Sequence, residues 1–209
     1  VHGELVDGQH RLAGLVMAGA VNPDISVKMM VTYDLEPDVV DVVDIGKKRT
    51  VGDVLAMYGE SHSTLTGAVL KLIAFYDAQC KPGEWNNFSL TPEVAREMLA
   101  AEPEIREAVK FGNGWTFLAI NSSIGASYHV ISRTRPSQYE RGQFFDGLRT
   151  GADLSLGDPV LTLRNVLLGQ KTNAKRGRSA LEQFSLVVKA WNAYVQGRPL
   201  RKLSWKVTE

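Results

Sequence analysis

The chain has 209 residues, 44% of them hydrophobic, which is long enough to bury one sizeable core or a core with a smaller satellite. Its single cysteine, Cys80, excludes an internal disulfide and a zinc site built from several cysteines, and no run of about 20 apolar residues predicts a membrane helix, so we expect a cytoplasmic protein without a membrane partner. The formal net charge of +1 is unevenly distributed, since residues 164–209 carry ten Lys or Arg against two Glu, which gives +8 there and −7 in the remainder.

The first 50 residues carry the strand signals of the chain. Glu4–Asp7 predicts a short strand and Ile25–Tyr33 a longer one, rich in β-branched and aromatic residues. The segment between them has apolar residues at helical spacing and ends before the turn signal Asn22-Pro23. These apolar positions are Leu12, Leu15, Val16 and Ala20. The order predicts a β-α-β unit, and because the sequence opens inside this β-rich region, we expect an N-terminal part of the unit to precede Val1.

The remainder of the chain shows mostly helical periodicity. Pro37–Val43 fits either a short helix or a strand, and this choice stays open. Thr50 with Asp53 forms a capping-box pattern at the start of a helix that ends near Gly59. Further helices are predicted from Leu65 to Tyr76, from Pro92 to the break at Pro103, from there to Phe111, from Trp115 to Arg133, from Gln138 to Leu148, and from Ser179 to Val195. The sequence therefore predicts an α+β protein with a small β-α-β domain over residues 1–60 and a helical domain with a basic C-terminal segment over residues 61–209.

The segment that follows the first predicted strand has the composition of an anion-binding elbow. Gly8 allows a sharp bend, after which the first helical turn points its N–H groups outward with partial positive charge. His10 can move a proton near neutral pH, Arg11 can hold phosphate oxygens, and Gln9 can contact a base or sugar edge. Asp7 could hold Mg²⁺ or orient His10, and we predict no other metal ligand. The alternative is that Asp7 and Gln9 satisfy the turn while His10 packs beneath it.

The stretch Asp7-Gly8-Gln9-His10-Arg11-Leu12 resembles the DGQHR variant of the ParB/sulfiredoxin superfamily, in which the equivalent elbow binds nucleotide phosphates. The resemblance implies that a nucleoside triphosphate binds here, as in ParB proteins, or that the elbow serves phosphoryl transfer, as in sulfiredoxin. Gln9 stands where sulfiredoxin has its cysteine, which excludes sulfur chemistry. Asp44–Leu55, Phe144–Leu148 and Ala190–Tyr194 are similar to segments of ParB-like proteins of actinobacteria and their phages, so the resemblance covers most of the chain.

A second basic motif precedes the helix that begins after Thr50. Lys47, Lys48 and Arg49 lie at a helix N-terminus, which disfavours cations unless an anion binds there too. We therefore predict that Lys47, Arg49 and Thr50 help to bind phosphate. The alternative is a solvated loop in which Thr50 and Asp53 only cap the helix, and the two roles are compatible.

A third basic motif lies in the C-terminal part of the chain. It consists of Lys171, Lys175, Arg176 and Arg178. Such a cluster favours contact with a nucleic-acid backbone, although the same charge could dock on the acidic body of the protein itself.

The remaining histidines and aromatic residues favour structural roles. His62 and His129 have no partner at the spacing of metal ligands, so we interpret each as structural or solvent-facing. Trp191 and Tyr194 could stack on a base, but their helical spacing with other apolar residues favours a core face.

Two functions fit these motifs. The first is a nucleotide-binding, DNA-associated ParB-like protein, in which the elbow and the Lys47–Arg49 loop hold a nucleoside triphosphate with Mg²⁺ while the basic C-terminal segment lies on DNA. The second is an enzyme of phosphoryl transfer or a nuclease, with Asp7, His10 and Arg11 as catalytic residues. The charge asymmetry favours the first function, because it does not depend on the family resemblance. The oligomeric state stays open, and a homodimer is compatible with either function.

Overall fold

The computed structural model of the chain describes residues 8–33, 49–134, 136–172 and 179–205. Their regular structure is helical, and no β-strand occurs in these ranges. The helices are α1 (Gln9–Val21), α2 (Val51–Met57), α3 (Ser63–Asp77), α4 (Pro92–Ala101), α5 (Ile105–Gly112), α6 (Asn121–Arg133), α7 (Gln138–Thr150), α8 (Pro159–Thr172) and α9 (Ala180–Val195), with a short 3-10 helix at Pro82–Glu84. Within the same ranges, none of the helices is both long and apolar enough to cross a lipid bilayer.

The predicted α+β fold with its β-α-β unit is wrong for the described residues. The helix of that unit is present as α1, but Ile25–Tyr33, which follows it, forms no strand. A strand needs a neighbouring backbone to complete its hydrogen bonds, and no strand of the described ranges supplies one. Side chains on both sides of this segment are exposed, with Val27 at 55% and Met30 at 97%. Glu4–Asp7 and Pro37–Val43 lie outside the described residues.

The chain divides into two compact units, Val1–Arg49 and Thr50–Glu209. The first contains α1, which buries none of its residues. The second contains α2 to α9 and two clusters of buried apolar residues.

Two apolar clusters fill the second unit, and α6 and α9 contribute to both. The first lies among α6 to α9 and the turn before α6, and includes the fully buried Trp115 and Phe144. The second lies among α2 to α6 and α9, and includes Leu70 and Ile73 of α3. Full burial of a Val, Leu, Ile or Phe side chain in these clusters stabilises the fold by about 1.5–3 kcal/mol relative to leaving it in water. Trp191 lies in the first cluster at 3% exposure, which confirms its predicted core role.

Several helix starts follow the capping signals in the sequence. Thr50 and Asp53 form a complete capping box at α2, as predicted. At α4 the Thr91 side chain accepts a hydrogen bond from a backbone N–H of the first turn, and Pro92 occupies the first helical position, where this helix was predicted to begin. Ser179 caps α9 in the same way. These local interactions fix where the helices begin and therefore which faces they turn to the core.

One predicted helix start in the second half of the chain needs correction, and one helix was not predicted. α6 begins at Asn121 rather than at Trp115, because a separate turn precedes it. In that turn Asn121 Oδ1 accepts a hydrogen bond from the backbone N–H of Trp115 at 3.0 Å, and Gln183 Oε1 accepts one from the backbone N–H of Ile120 at 2.7 Å. α8 was not among the individually predicted helices, and it buries Leu163 and other apolar residues against the first cluster.

Candidate functional site

The predicted anion-binding elbow lies at the start of α1. Gly8 adopts a left-handed backbone with φ of +88°, which glycine tolerates without strain, and α1 begins at the next residue. Gln9, His10 and Arg11 of the first turn are exposed, and this turn contains no acidic side chain. A helix N-terminus carries a partial positive charge, and the guanidinium group of Arg11 adds a unit positive charge. Asp7, the remaining predicted member of the elbow, lies outside the described residues.

The second basic motif is only partly described. Lys47 lies outside the described residues, and Arg49 is half-buried at the end of the first unit. Thr50 belongs to the second unit, where its hydroxyl donates to Asp53 Oδ2 at 2.8 Å and accepts from the Asp53 N–H at 3.2 Å. The backbone N–H of Thr50 also donates to Asp53 Oδ2, at 2.9 Å. The structure thus gives Thr50 a capping role, and its predicted role in phosphate binding stays a prediction.

Lys171 is the one described member of the third basic motif, since Lys175, Arg176 and Arg178 lie outside the described residues. The Lys171 Nζ lies at the end of α8 and donates hydrogen bonds to the carbonyl oxygens of Phe117 at 2.7 Å and Thr116 at 3.2 Å. Lys171 remains exposed in this position, and both of its acceptors are neutral carbonyl oxygens.

A network of charged side chains that the sequence analysis missed joins α3, α6 and the end of α4. His129 is 4% exposed, and its Nε2 lies 2.8 Å from Glu102 Oε2. Arg133 donates to both oxygens of Glu102, at 2.8 and 2.5 Å, and to both oxygens of Asp77, at 2.7 and 2.9 Å. The structural interpretation of His129 is confirmed. No local signal pairs residues this far apart in the chain, although His129 and Arg133 have the spacing of neighbours on one helix face.

Burial and ion pairing set the protonation states in this network. Burial lowers the pKa of His129, and the bond to Glu102 opposes that shift only in part, so the imidazole is neutral at pH 7. The hydrogen bonds from Arg133 lower the pKa of Glu102 below its ordinary range. Arg133 forms ion pairs with Glu102 and Asp77, and the buried His129 imidazole is hydrogen-bonded to the same Glu102 carboxylate. We interpret this network as structural.

A cavity of about 290 Å³ lies between α8, α9 and the C-terminal segment. Its wall combines apolar and polar side chains. The lining residues are Val166, Gly169, Gln170, Glu182, Leu186, Leu203, Ser204 and Trp205. The Gln170 amide donates to Glu182 Oε1 at 2.9 Å and accepts from Gln183 Nε2 at 3.2 Å. The polar groups of the wall thus hydrogen-bond to one another, and Gly169 and Ser204 at its edge are exposed.

The described residues contain no group of three or more side chains placed to hold a metal ion. His62 is exposed and precedes α3 in a left-handed backbone conformation, which confirms its solvent-facing interpretation.

Comparison with known proteins gives no relative for this chain: no family model, no curated protein and no solved structure matches it. The resemblance to ParB-like proteins therefore stays a prediction that rests on the sequence of the elbow and the three further segments.

Proposed function

We propose that the chain binds the phosphates of a nucleotide at the start of α1 and associates with DNA through its basic C-terminal part. The observation that carries this proposal is the left-handed Gly8 followed by the first turn of α1, where His10 and Arg11 are exposed. An anion at this position gains from the helix dipole and from a charged fork of Arg N–H donors. The resemblance of the same residues to nucleotide-binding elbows supports the choice of a nucleotide, with Mg²⁺, as the anion.

The charge of the C-terminal part supports the DNA association. Residues 164–209 carry a formal charge of +8. Of their described cations, Arg198, Arg201 and Lys202 follow α9 and are exposed. Neutralising phosphates with such side chains releases condensed counterions, so the affinity for DNA should fall steeply as the salt concentration rises.

The nucleotide proposal is tested by calorimetric titration of the chain with ATP, CTP, GTP and ADP, each with Mg²⁺. Removing the Arg11 guanidinium in Arg11→Ala is expected to weaken binding by about 10- to 100-fold, because a hydrogen bond to a charged group contributes about 1.5–3 kcal/mol. Lys28→Ala is the matched control, since Lys28 is an exposed cation of the same unit outside α1. Equal loss in both variants, or no binding of any nucleotide, would refute the elbow as a nucleotide site.

A catalytic version of the same site is favoured by one observation, the exposure of His10 directly beside Arg11 in the first turn. In an enzyme of phosphoryl transfer or phosphodiester cleavage, His10 would move the proton while Arg11 stabilises the charge developing on phosphate. His10→Ala separates the two versions: a binding protein keeps most of its nucleotide affinity, whereas an enzyme loses turnover by about 10²-fold or more. Release of inorganic phosphate and cleavage of a labelled oligonucleotide are the assays.

A further inference from the structure

The turn before α6 carries an aromatic and cationic surface built around one buried indole. Trp115 is fully buried, and the ring of Phe117 stacks against it with centroids 5.7 Å apart and planes 25° apart. The Arg149 guanidinium lies over the same indole, 4.6 Å from the ring centroid. Phe117 is 40% exposed and Arg149 is also exposed, so both groups face solvent while Trp115 holds them together.

α8 adds two further cations to this surface. Arg164 donates to the carbonyl oxygen of Arg149 at 2.9 Å, and Lys171 donates to the carbonyl oxygen of Phe117 at 2.7 Å. The two residues are two helical turns apart and share one face of α8, with the 37% exposed Leu168 between them. These contacts group Phe117, Arg149, the half-buried Arg164 and Lys171 around the buried Trp115, and we call this group the Phe117 surface.

Arg164 and Lys171 of the Phe117 surface contact backbone carbonyl groups rather than carboxylates. Their hydrogen bonds go to neutral carbonyl oxygens, and none of the ion pairs found in the described ranges involves Arg149, Arg164 or Lys171. A lysine ammonium has three donors and a guanidinium five, so donors remain for an added anion. The acidic side chain closest in sequence is the exposed Asp146, one turn before Arg149 on α7, and it forms none of the ion pairs found in the described ranges.

We propose that the Phe117 surface binds single-stranded nucleic acid, with the Phe117 ring stacked on a base and the three cations along the phosphate backbone. An exposed aromatic ring among cations is the arrangement by which proteins bind single strands without sequence preference. Paired bases in a duplex offer no free face to such a ring, so the aromatic group favours a single strand. This inference rests on the DNA association proposed above, and it names the surface and the form of the nucleic acid.

The test measures fluorescence anisotropy of a labelled oligo(dT) of 20 nucleotides and of a matching duplex, titrated with the whole chain at several salt concentrations. Phe117→Leu keeps an apolar side chain of similar size and is expected to weaken oligo(dT) binding by about 5- to 100-fold, with little effect on the duplex. Lys171→Gln is expected to lower the slope of log affinity against log salt by about 0.7, the value of one phosphate contact with a single strand. Thermal unfolding of each variant checks that the fold is intact.

Lys81→Gln is the matched control, because Lys81 is an exposed cation beside the 3-10 helix, where the other apolar cluster lies. The inference is overturned if Phe117→Leu binds oligo(dT) like the unaltered chain, or if Lys81→Gln lowers the salt slope as much as Lys171→Gln does. Failure of the unaltered chain to bind either nucleic acid would refute the DNA association itself. Binding of nucleic acid with no response to Phe117→Leu would refute only the Phe117 surface.

Discussion

The close approach of α5 and α6 depends on two glycines. A Cβ atom added to Gly112 would lie 2.7 Å from the carbonyl oxygen of Asn121 and 2.7 Å from the backbone nitrogen of Gly125. A Cβ atom on Gly125 would in turn lie 3.0 Å from the carbonyl oxygen of Ala108. These neighbours are backbone atoms of well-packed helices, so they cannot move aside as the end of a flexible side chain would.

Gly112→Ala is therefore expected to destabilise the second unit by about 2–3 kcal/mol, the upper part of the range for overpacked cores. The matched control is Gly142→Ala inside α7, where the added Cβ meets no atom within 4 Å. That substitution should stabilise the unit by about 0.5–1 kcal/mol, because alanine is the better helix former. Urea unfolding of both variants measures the difference, and equal stabilities would contradict the close helix approach.

At the scale of single elements, the capping box of α2 gives a test of what Thr50 does. Thr50→Ala removes the hydroxyl that bonds to Asp53 and is expected to lower the free energy of unfolding by about 1 kcal/mol. Thr50→Ser keeps the hydroxyl and should restore most of that stability. If Thr50 only caps the helix, nucleotide affinity will be the same in both variants. A large loss of nucleotide affinity in Thr50→Ala, with stability unchanged, would instead support the predicted phosphate role.

The helices were predictable where their signals are local. The capping residues and the periodicity of apolar side chains gave α2, α3 and α4 nearly to the residue, since both signals act within a turn or two. The strand expected at Ile25–Tyr33 failed for the opposite reason, because a strand is completed by a distant backbone that local composition does not specify. The late start of α6 has a similar cause. The turn before it is stabilised by a hydrogen bond between Ile120 and Gln183, which are 63 residues apart in the sequence.

The candidate sites, like the helices, were predictable only where their signals are local in the sequence. The bend at Gly8 and the start of α1 were predictable because their signals lie in consecutive residues, whereas anion binding there stays a prediction. The Phe117 surface and the His129 network were not predictable, since each joins residues that are distant in the sequence and meet only in the folded chain. Lys171 illustrates the difference: its charge was apparent in the sequence, whereas its contact with the Phe117 carbonyl was not.

At the scale of the whole second unit, α6 couples the two apolar clusters to the charged network. Ile124 and Ile131 lie in one cluster and Ala126 and Val130 in the other, so α6 cannot shift without disturbing both. His129 is on the same helix, and its bond to Glu102 ties α6 to the end of α4. A change of charge on this buried imidazole should therefore affect the stability of the unit as a whole.

The direction of the resulting pH dependence follows from the two shifted groups. Burial lowers the pKa of His129 from its ordinary 6.5, so below about pH 6.5 the unfolded chain binds a proton that the folded chain does not, and stability falls. The pKa of Glu102 is lowered from its ordinary 4.5, chiefly by its hydrogen bonds from Arg133, so its contribution is present above about pH 4.5 and is lost as the pH falls further. Acidification therefore destabilises the second unit in two successive pH ranges, the upper one due to His129 and the lower one due to Glu102.

The His129→Gln variant isolates the upper pH range, since a glutamine amide can still donate to Glu102 but does not titrate. Urea unfolding is measured at several pH values between 8 and 5. For the unaltered chain, the urea concentration at the midpoint of unfolding should decrease once the pH is below about 6.5, and for the variant it should change less with pH. His62→Asn removes an exposed imidazole at a left-handed position that asparagine tolerates, so it should keep the profile of the unaltered chain. A rise in stability on acidification, or an equal flattening in both variants, would mean that His129 is not held neutral by its burial between the helices.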